Sequence, residues 1–333
     1  MVKYAVIGTS WITQSFVDGA KISGRLSLEG VCSRDESRGR AFAEKNGAKK
    51  VFTSVESLAR SDIEAVYIAS PNAFHTRQTE AMLRAGKHVI CEKPVTITPA
   101  ELEYLQKLAE KNGLVYVEAI MYMFNPVRDI LRGSLAKIGQ ITSANLDFSQ
   151  LSSKYPAYKR GELPNIFNPE MATGCLEDLG IYCVYPALDL FGRPEEIKAS
   201  ASFMASGADG SGGALLKYNG LSVNLTYSKL GQSRGYSQIF GDEGTILLDS
   251  VSKLTDIKIV FNDGSEEILC GDVPKEQLMG FEADGFADII ENREKHKEFY
   301  NLLLKSALAT SRVMEQIRSQ AGIIFRYKPI TEE

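Results

Sequence analysis

The stretch Val89-Ile90-Cys91-Glu92-Lys93-Pro94-Val95 decides the fold of the first part of this 333-residue chain. Its apolar, partly β-branched start is typical of a strand in a sheet that is covered on both faces. Pro94 has no N–H to donate to a neighbouring strand, so we expect the strand to end at Lys93. Ligands of open α/β sheets bind beyond the carboxyl ends of the strands. Lys93 is therefore predicted to face a binding crevice; the alternative is a solvated lysine at the start of a loop.

The segments around this strand alternate between short apolar runs and amphipathic helical patterns. This alternation predicts a doubly wound parallel sheet, the Rossmann arrangement, whose domain covers residues 1–122. The predicted strands are residues 2–7, 28–32, 51–52, 65–69, 88–91 and 114–118, and the predicted helices include 36–46, 75–85 and 99–111.

The first predicted strand leads into Gly8-Thr9-Ser10-Trp11-Ile12-Thr13 and then into a helix. Backbone N–H groups at such a helix start can bind a pyrophosphate. Only the first glycine of the GxGxxG pattern is present, but the hydroxyl of Ser10 can donate to a phosphate oxygen. We predict that this turn binds a dinucleotide through Gly8, Thr9, Ser10, Trp11 and Ile12. A plain strand-to-helix turn is the alternative.

The second strand ends in Ser33-Arg34-Asp35-Glu36-Ser37-Arg38. An acidic residue at this tip normally bonds the ribose of NAD, whereas an arginine accommodates the 2′-phosphate of NADP. A guanidinium binds phosphate through two hydrogen bonds. Ser33, Arg34 and Arg38 therefore favour NADP. The neighbouring acids keep NAD possible and leave a solvated charged loop as the alternative.

A polar turn, Ser70-Pro71-Asn72-Ala73-Phe74-His75, follows the fourth strand. It lies at the carboxyl edge of the predicted sheet, where amide and imidazole groups can bond ribose or nicotinamide. We therefore add Ser70, Pro71, Asn72 and His75, together with Glu92 and Lys93, to the predicted cofactor site. For His75, a place in the first turn of a helix is the alternative.

Residues 123–333 are predicted to form an α/β domain for substrate binding and oligomer contacts. Asn219-Gly220 joins two alternating segments and is a strong hairpin signal, so a large, open, mainly antiparallel sheet is expected. Residues 221, 223, 225 and 227 are apolar and share one face, whereas their neighbours are polar. A sheet with a free polar face favours a homodimer or higher homo-oligomer. Helical patterns at 276–292 and 294–320 are expected to cover the other face.

A second chemical segment runs from Gly174 to Gly192. If it is helical, Asp178 and Tyr182 are four residues apart and share one face, so that a carboxylate and a phenol address one hydroxyl. The alternative is a first-turn carboxylate beside a packed tyrosine. The polar and aromatic loop 152–169 is expected to cover the pocket.

Composition excludes several partners. Lysine and arginine number 38 against 42 acidic residues, without a basic block, which argues against nucleic acid. No apolar run is long enough for a membrane span and the N-terminus does not read as a signal peptide, so a cytoplasmic protein is expected. Five scattered cysteines and three distant histidines predict neither disulfides nor a metal site.

The Gly8 turn, the 70–75 turn and above all Glu92-Lys93-Pro94 resemble the glucose-fructose oxidoreductase, inositol dehydrogenase and MocA family (Gfo/Idh/MocA). The resemblance implies NAD(P)-dependent oxidation or reduction of sugars, polyols or related carbonyl compounds, with a lysine near the nicotinamide. It also implies an Asp-x-Gly-x-His or Asp-x-Gly-x-Tyr element. This chain carries the tyrosine form at Asp178, Gly180 and Tyr182, as in the glucose-fructose oxidoreductase and dihydrodiol dehydrogenase branches.

We predict hydride transfer between NAD(P) and a carbinol or carbonyl carbon of a polar small molecule. A tyrosine has an ordinary pKa of about 10, so it serves near neutrality only if a cation stabilises its phenolate. Lys93 would be that cation for Tyr182, and Asp178 would orient the substrate; which of Lys93 and Tyr182 passes the proton stays open. The alternatives are a non-catalytic NAD(P)-binding sensor and a glycosidase that uses NAD for transient oxidation.

Overall fold

The computed structural model describes residues 1–327 and 329. These residues form two compact units. Met1–Phe124 and Pro274–Leu308 belong to the first unit, and Asn125–Val273 and Ala309–Tyr327 belong to the second. The assignment of residues 1–122 to cofactor binding and of 123–333 to substrate binding and oligomer contacts stays a prediction.

The first unit contains a parallel sheet. Its strands are β1 (Val2–Ile7), β2 (Leu26–Cys32), β3 (Lys50–Phe52), β4 (Ala65–Ile68), β5 (His88–Glu92) and β6 (Tyr116–Ala119). Within the described residues they pair in the order β3-β2-β1-β4-β5-β6, and every pair is parallel. This is the predicted doubly wound sheet. Its strand order reverses between β1 and β4, where such sheets bind their ligands.

Helices connect these strands, as the alternating pattern predicts. They are α1 (Trp11–Ser23), α2 (Glu36–Asn46), α3 (Val55–Ala59), α4 (His75–Arg84), α5 (Pro99–Lys111) and α6 (Met121–Phe124). Local signals set their starts: α5 begins with a capping box, in which Thr98 and Glu101 satisfy each other's backbone N–H. Two later helices, α10 (Lys275–Glu291) and α11 (Lys297–Ala321), follow the second sheet, and α11 ends in the second unit.

The second unit contains a mainly antiparallel sheet, as predicted. Its strands are β7 (Ile141–Ser149), β8 (Glu196–Phe203), β9 (Asp209–Tyr218), β10 (Leu221–Ser228), β11 (Ser237–Gly241), β12 (Gly244–Ser250), β13 (Thr255–Phe261) and β14 (Glu266–Cys270). In the described chain they are ordered β14-β13-β12-β11-β7-β10-β9-β8. The central pair β7 and β10 is parallel, so both strands end at the same edge.

The predicted hairpin at Asn219-Gly220 is present. Tyr218 pairs with Leu221 across the turn, and Gly220 adopts the positive φ of 75° that such turns require. Along β10 the apolar residues are buried or half-buried and the alternate residues 222, 224 and 226 are exposed. The face of β10 that residues 222, 224 and 226 share is therefore polar, and the homo-oligomer stays a prediction.

The remaining helices of the second unit are α7 (Val127–Ser134), α8 (Tyr155–Lys159) and α9 (Ile181–Phe191). A π-helical turn, Leu176–Gly180, leads directly into α9. Among the described residues, no helix combines the length and apolarity that a bilayer crossing needs. The cytoplasmic location stays a prediction.

Candidate functional site

Gly8 lies at the carboxyl end of β1, next to the chain that follows β4. It has a φ of 107°, and a Cβ at this position would lie only 2.7 Å from the carbonyl oxygen of Ala69. The turn therefore needs a glycine. It places Ser10 at the N-cap of α1, where the Ser10 side chain makes no capping hydrogen bond and no acidic residue occupies the first turn. The backbone N–H groups at such a helix start suit an anion.

The other residues predicted for this turn lie around the same helix start. Thr9 and Ile12 are half-buried, and Trp11 is 70% exposed. The Nζ atom of Lys275 lies 3.9 Å from the centroid of the Trp11 ring, in cation–π contact. Thr13, which replaces the third glycine of the fingerprint, is buried. This face of the turn thus presents a flat aromatic surface beside an uncapped helix start.

At the tip of β2, Asp35 and Glu36, whose charges argued against NADP, form contacts with residues of α2. Asp35 caps α2 by accepting from the backbone N–H of Arg38, and its other oxygen lies 3.3 Å from the Arg38 side chain. Glu36 pairs with Arg40. Ser33 donates to the carbonyl oxygen of Asp35.

Arg34 is exposed at this tip and is held from another direction. Its guanidinium carbon lies 5.5 Å from the centroid of the Phe74 ring, in the turn after β4. The structure therefore brings the tip of β2 and the 70–75 turn together at one edge of the sheet. An exposed guanidinium in this position can bind a phosphate through charge-assisted hydrogen bonds.

His75 connects two of the predicted turns. Its Nε2 lies 2.8 Å from the carbonyl oxygen of Ser70, and its Nδ1 lies 2.9 Å from that of Pro94. Burial lowers the pKa of the imidazole, an effect that both carbonyl contacts oppose. His75 is 1% exposed. Its ring thus holds the chain after β4 against the chain after Lys93.

The other members of the 70–75 turn have their own arrangement. Ser70 donates to the side-chain oxygen of Gln78, and a 3₁₀ turn spans Asn72–Phe74. Pro71 and Asn72 are half-buried. They stay predicted cofactor contacts.

Glu92 and Lys93 come at the end of β5, as predicted. Lys93 is half-buried, and its peptide bond to Pro94 is cis. Glu92 is buried and accepts a 2.5 Å hydrogen bond from the phenol of Tyr67 on β4. Burial raises the pKa of Glu92, whereas the Tyr67 hydrogen bond and the Lys93 ammonium act to lower it.

A second buried carboxyl group, Glu282 on α10, interacts electrostatically with Glu92. It is 1% exposed, and its Oε2 has no hydrogen-bond partner within the described part of the chain. Burial, followed by the charge of Glu92, raises the pKa of Glu282 well above 4.5, and Lys275 opposes this shift. The residue that precedes the predicted catalytic lysine thus interacts with a second buried carboxyl group.

In the second unit, Asp178 and Tyr182 come together on one continuous helical segment. The segment differs from the predicted α-helix, because Asp178 lies in the π-helical turn, in which the N–H of Ile181 donates to the carbonyl oxygen of Leu176. Tyr182 lies in the first turn of α9 and packs edge-on against Phe148 of β7, with ring centroids 5.4 Å apart.

Gly180 explains why this turn lies so close to the sheet. A Cβ at Gly180 would lie 3.0 Å from Cδ1 of Tyr227 on β10 and 2.9 Å from Cδ1 of Leu176. The missing side chain between Asp178 and Tyr182 thus lets the turn approach the end of β10.

Lys229, directly after β10, forms an ion pair with Asp178. Its Nζ lies 2.8 Å from Oδ2 of Asp178, and the side chain of Lys229 is 2% exposed whereas that of Asp178 is 40% exposed. The Lys229 ammonium also opposes the effect of burial, which raises the pKa of Asp209 on β9. Glu177 is buried as well and pairs with Arg318 at 2.5 Å.

The expected lid, residues 152–169, packs on itself through aromatic rings. Tyr155 and Tyr158 of α8 both contact Phe167, and Lys159 lies over the Tyr155 ring. The ring of Phe167 also faces Lys229, whose Nζ lies 5.4 Å from its centroid. The loop is thus attached to the same ion pair as the π-helical turn.

Sequence reasoning missed Tyr67, Glu282 and Lys229. One signal was available for Lys229: the apolar positions 221, 223, 225 and 227 continue in steps of two to 229, so this lysine falls on the apolar face. For Glu282, a carboxylate between apolar positions of a helix was the corresponding signal, although its partner lies far away in the chain.

Three features of the first unit suit a bound dinucleotide: the close backbone approach at Gly8, the start of α1 without a Ser10 cap, and the exposed Arg34. No group of three or more histidine, cysteine, aspartate or glutamate residues in the described ranges could hold a metal ion.

Two family models match the chain. Residues 2–119 match the oxidoreductase family with an NAD-binding Rossmann fold, Gfo/Idh/MocA, and residues 133–247 match a Gfo/Idh/MocA C-terminal domain.

Individual proteins are similar over almost the whole length. The scyllo-inositol 2-dehydrogenase (NADP(+)) IolU of Bacillus subtilis is 37% identical over 326 residues, which cover 98% of each chain. Human trans-1,2-dihydrobenzene-1,2-diol dehydrogenase is 28% identical over 308 residues, or 89% of each chain. The structure of KijD10, a 3-ketoreductase from Actinomadura kijaniata in complex with NADP, has a TM-score of 0.81 at 21% identity, covering 98% of this chain and 99% of that one. At this identity, the last likeness concerns the fold alone.

Proposed function

Because this chain belongs to the Gfo/Idh/MocA family of NAD(P)-dependent oxidoreductases, we propose that it transfers a hydride between NADP(H) and a carbinol or carbonyl carbon of a sugar, polyol or diol. The predicted family and the prediction of an NAD(P)-dependent enzyme are confirmed. The observation that carries the finer proposal is the similarity to an inositol dehydrogenase along 98% of both chains.

The choice of NADP over NAD has two supports. Arg34 is exposed at the tip of β2 while Asp35 and Glu36 are engaged with Arg38 and Arg40. The inositol dehydrogenase relative is named for NADP(+). In this proposal Arg34 binds the 2′-phosphate, the start of α1 binds the pyrophosphate, and His75 supports the site by holding the two turns together.

The names of two relatives indicate a substrate class. The compounds in these names, scyllo-inositol and trans-1,2-dihydrobenzene-1,2-diol, are both six-membered carbon rings with neighbouring hydroxyl groups. We propose a cyclic polyol or vicinal diol, or the ketone derived from it, as the substrate.

The proposed chemistry divides into hydride transfer and proton transfer. The bound nicotinamide would accept or supply the hydride. Lys93 and Tyr182 would together remove or return the proton of the reacting hydroxyl, with the lysine charge favouring the phenolate. The half-exposed carboxylate of Asp178 would accept a hydrogen bond from a substrate hydroxyl and so orient the ring. Whether Lys93 or Tyr182 passes the proton stays open, since the two would titrate together.

Purified protein incubated with NADP or NAD and a panel of inositols, sugars and cyclic diols tests this proposal through the absorbance of reduced nicotinamide. We expect NADP-dependent oxidation of at least one cyclic polyol or diol, and reduction of the corresponding ketone with NADPH. A glycosidase would instead release sugar without accumulating reduced cofactor. A sensor would be stabilised by the cofactor in a thermal shift but turn over nothing.

A further inference from the structure

Lys229 is a lysine in an unusual place. It continues the buried face of β10, and its backbone is tied on both sides: its N–H donates to Gly210 and its carbonyl accepts from Ser152. Its side chain is 2% exposed. A long, charged side chain loses solvation and rotamer freedom in such a position, so it is retained only where its ammonium is compensated.

The compensation comes from Asp178 and from the loop 152–169. Nζ lies 2.8 Å from Oδ2 of Asp178, 3.4 Å from the carbonyl oxygen of Ile166 and 5.4 Å from the centroid of the Phe167 ring. The pair is asymmetric, because the ammonium is enclosed whereas the carboxylate is 40% exposed. Solvent and ligands can therefore reach Asp178 but not Lys229.

A second carboxyl group, which is buried, also contributes to the surroundings of Lys229. Asp209 on β9 accepts from the N–H of Leu176, the first residue of the π-helical turn, and its Oδ1 has no hydrogen-bond partner among the described residues. Lys229 is electrostatically coupled to this carboxyl group as well. The ammonium thus interacts with a buried carboxyl group as well as with the accessible one.

Resting on the function proposed above, we propose that Lys229 is a positioning residue that holds the Asp178 carboxylate ionised and in one orientation for a substrate hydroxyl. One oxygen of Asp178 bonds the ammonium, so the carboxylate cannot rotate freely, and the 40% exposure of its side chain leaves it accessible to a ligand. The same ammonium contacts the loop through Ile166 and Phe167. Lys229 therefore couples the placement of this loop to the hydroxyl acceptor and favours neutral, hydroxylated substrates over anionic ones.

Steady-state kinetics of Lys229→Met test this role. An oriented carboxylate that holds a hydroxyl contributes equally to ground-state and transition-state binding, so its loss raises KM and leaves kcat nearly unchanged. We expect KM for the polyol to rise at least about tenfold, the value of one charge-assisted hydrogen bond. Asp178→Asn should raise KM similarly, and Lys229→Met should add little in the Asp178→Asn background.

The matched control is Lys87→Met. Lys87 is also buried, but it donates to the carbonyl oxygens of Ser61 and Ile63 in the first unit and has no role in the proposed chemistry. Its substitution should leave KM unchanged. If Lys229→Met fails to fold, Lys229→Gln carries the same test. Failure of both to fold while Lys87→Met folds would show that Lys229 serves the fold itself and would overturn the proposal.

The remaining outcomes are also decisive. Equal effects of Lys229→Met in the wild-type and Asp178→Asn backgrounds, or a fall in kcat with KM unchanged, would contradict the positioning role while leaving the enzyme function intact. Absence of turnover by the wild-type protein would instead refute the proposed function. In that case, calorimetric binding of the polyols to the NADPH complex of wild type and Lys229→Met tests the inference on Lys229.

Discussion

The phenol of Tyr67 donates a 2.5 Å hydrogen bond to Oε1 of Glu92, from the middle of one parallel strand to the end of the next. Both groups are buried, and Glu92 directly precedes Lys93. This bond is the main compensation that the structure shows for burying a carboxyl group next to the predicted catalytic lysine.

Tyr67→Phe should therefore destabilise the protein by about 1–3 kcal/mol, the cost of leaving a buried acceptor unsatisfied. Urea denaturation measures the change. Tyr116→Phe is a matched control, because Tyr116 is equally buried but its Oη has no hydrogen-bond partner in the residues described. Its substitution should be neutral or slightly stabilising. Equal losses in the two variants would show that the Tyr67 hydrogen bond contributes nothing.

Glu282→Gln should change how stability depends on pH. Burial raises the pKa of Glu282 in the folded protein well above 4.5, so the folded state keeps a proton that the unfolded state releases. Its contribution is thus present below pH 4.5 and is lost, by up to about 1.4 kcal/mol per pH unit, as the pH rises towards the folded-state pKa. The glutamine variant escapes this loss, and its advantage over wild type should grow with pH.

Thermal unfolding of wild type and Glu282→Gln between about pH 5 and pH 9 measures this difference. Glu276→Gln serves as the control, since Glu276 lies in the first turn of the same helix and is exposed. A constant difference between wild type and Glu282→Gln across the series would refute the prediction.

Lys93→Met should abolish turnover while cofactor binding persists. Loss of a group that moves or stabilises a proton costs about 100-fold or more in rate. Fluorescence titration with NADPH should give an affinity near that of wild type. Lys111→Met, at the exposed end of α5, should behave like wild type in both assays. Turnover that survives in Lys93→Met would remove this lysine from the mechanism.

Arg34→Ser should weaken NADP without weakening NAD. Loss of a charge-assisted hydrogen bond to the 2′-phosphate corresponds to about a tenfold or greater rise in the Kd for NADP. Calorimetry with both cofactors measures the ratio, and Arg60→Ser, another exposed arginine of the first unit, is the control. A parallel loss of affinity for both cofactors would mean that Arg34 does not discriminate between them.

The sheets could be predicted because their signals are local. Apolar runs that alternate with amphipathic helices predicted the parallel sheet, and Asn219-Gly220 between alternating segments predicted an antiparallel hairpin that is present at those residues. Glu92-Lys93-Pro94 likewise marked a strand end that the structure contains.

The contacts that surround the candidate site could not be predicted in the same way, because they join distant parts of the chain. Glu282 meets Glu92 only when α10 returns to the first sheet, and Lys229 meets Asp178 only when β10 ends beside the π-helical turn. The close packing of Gly180, in the π-helical turn, against Tyr227 is likewise a contact that helical periodicity does not predict.

Because of the π-helical turn, the number of residues between Asp178 and Tyr182 matters as much as their chemistry. A π-helical turn accommodates one more residue than the α-helical turn it replaces. Deleting Leu179 would let an ordinary α-helix form and would rotate Asp178, with everything before it, by about 100° relative to Tyr182. Asp178 would then no longer contact Lys229, although both residues would still be present in the sequence. A relative with one residue fewer at this position would therefore present a different acceptor to its substrate.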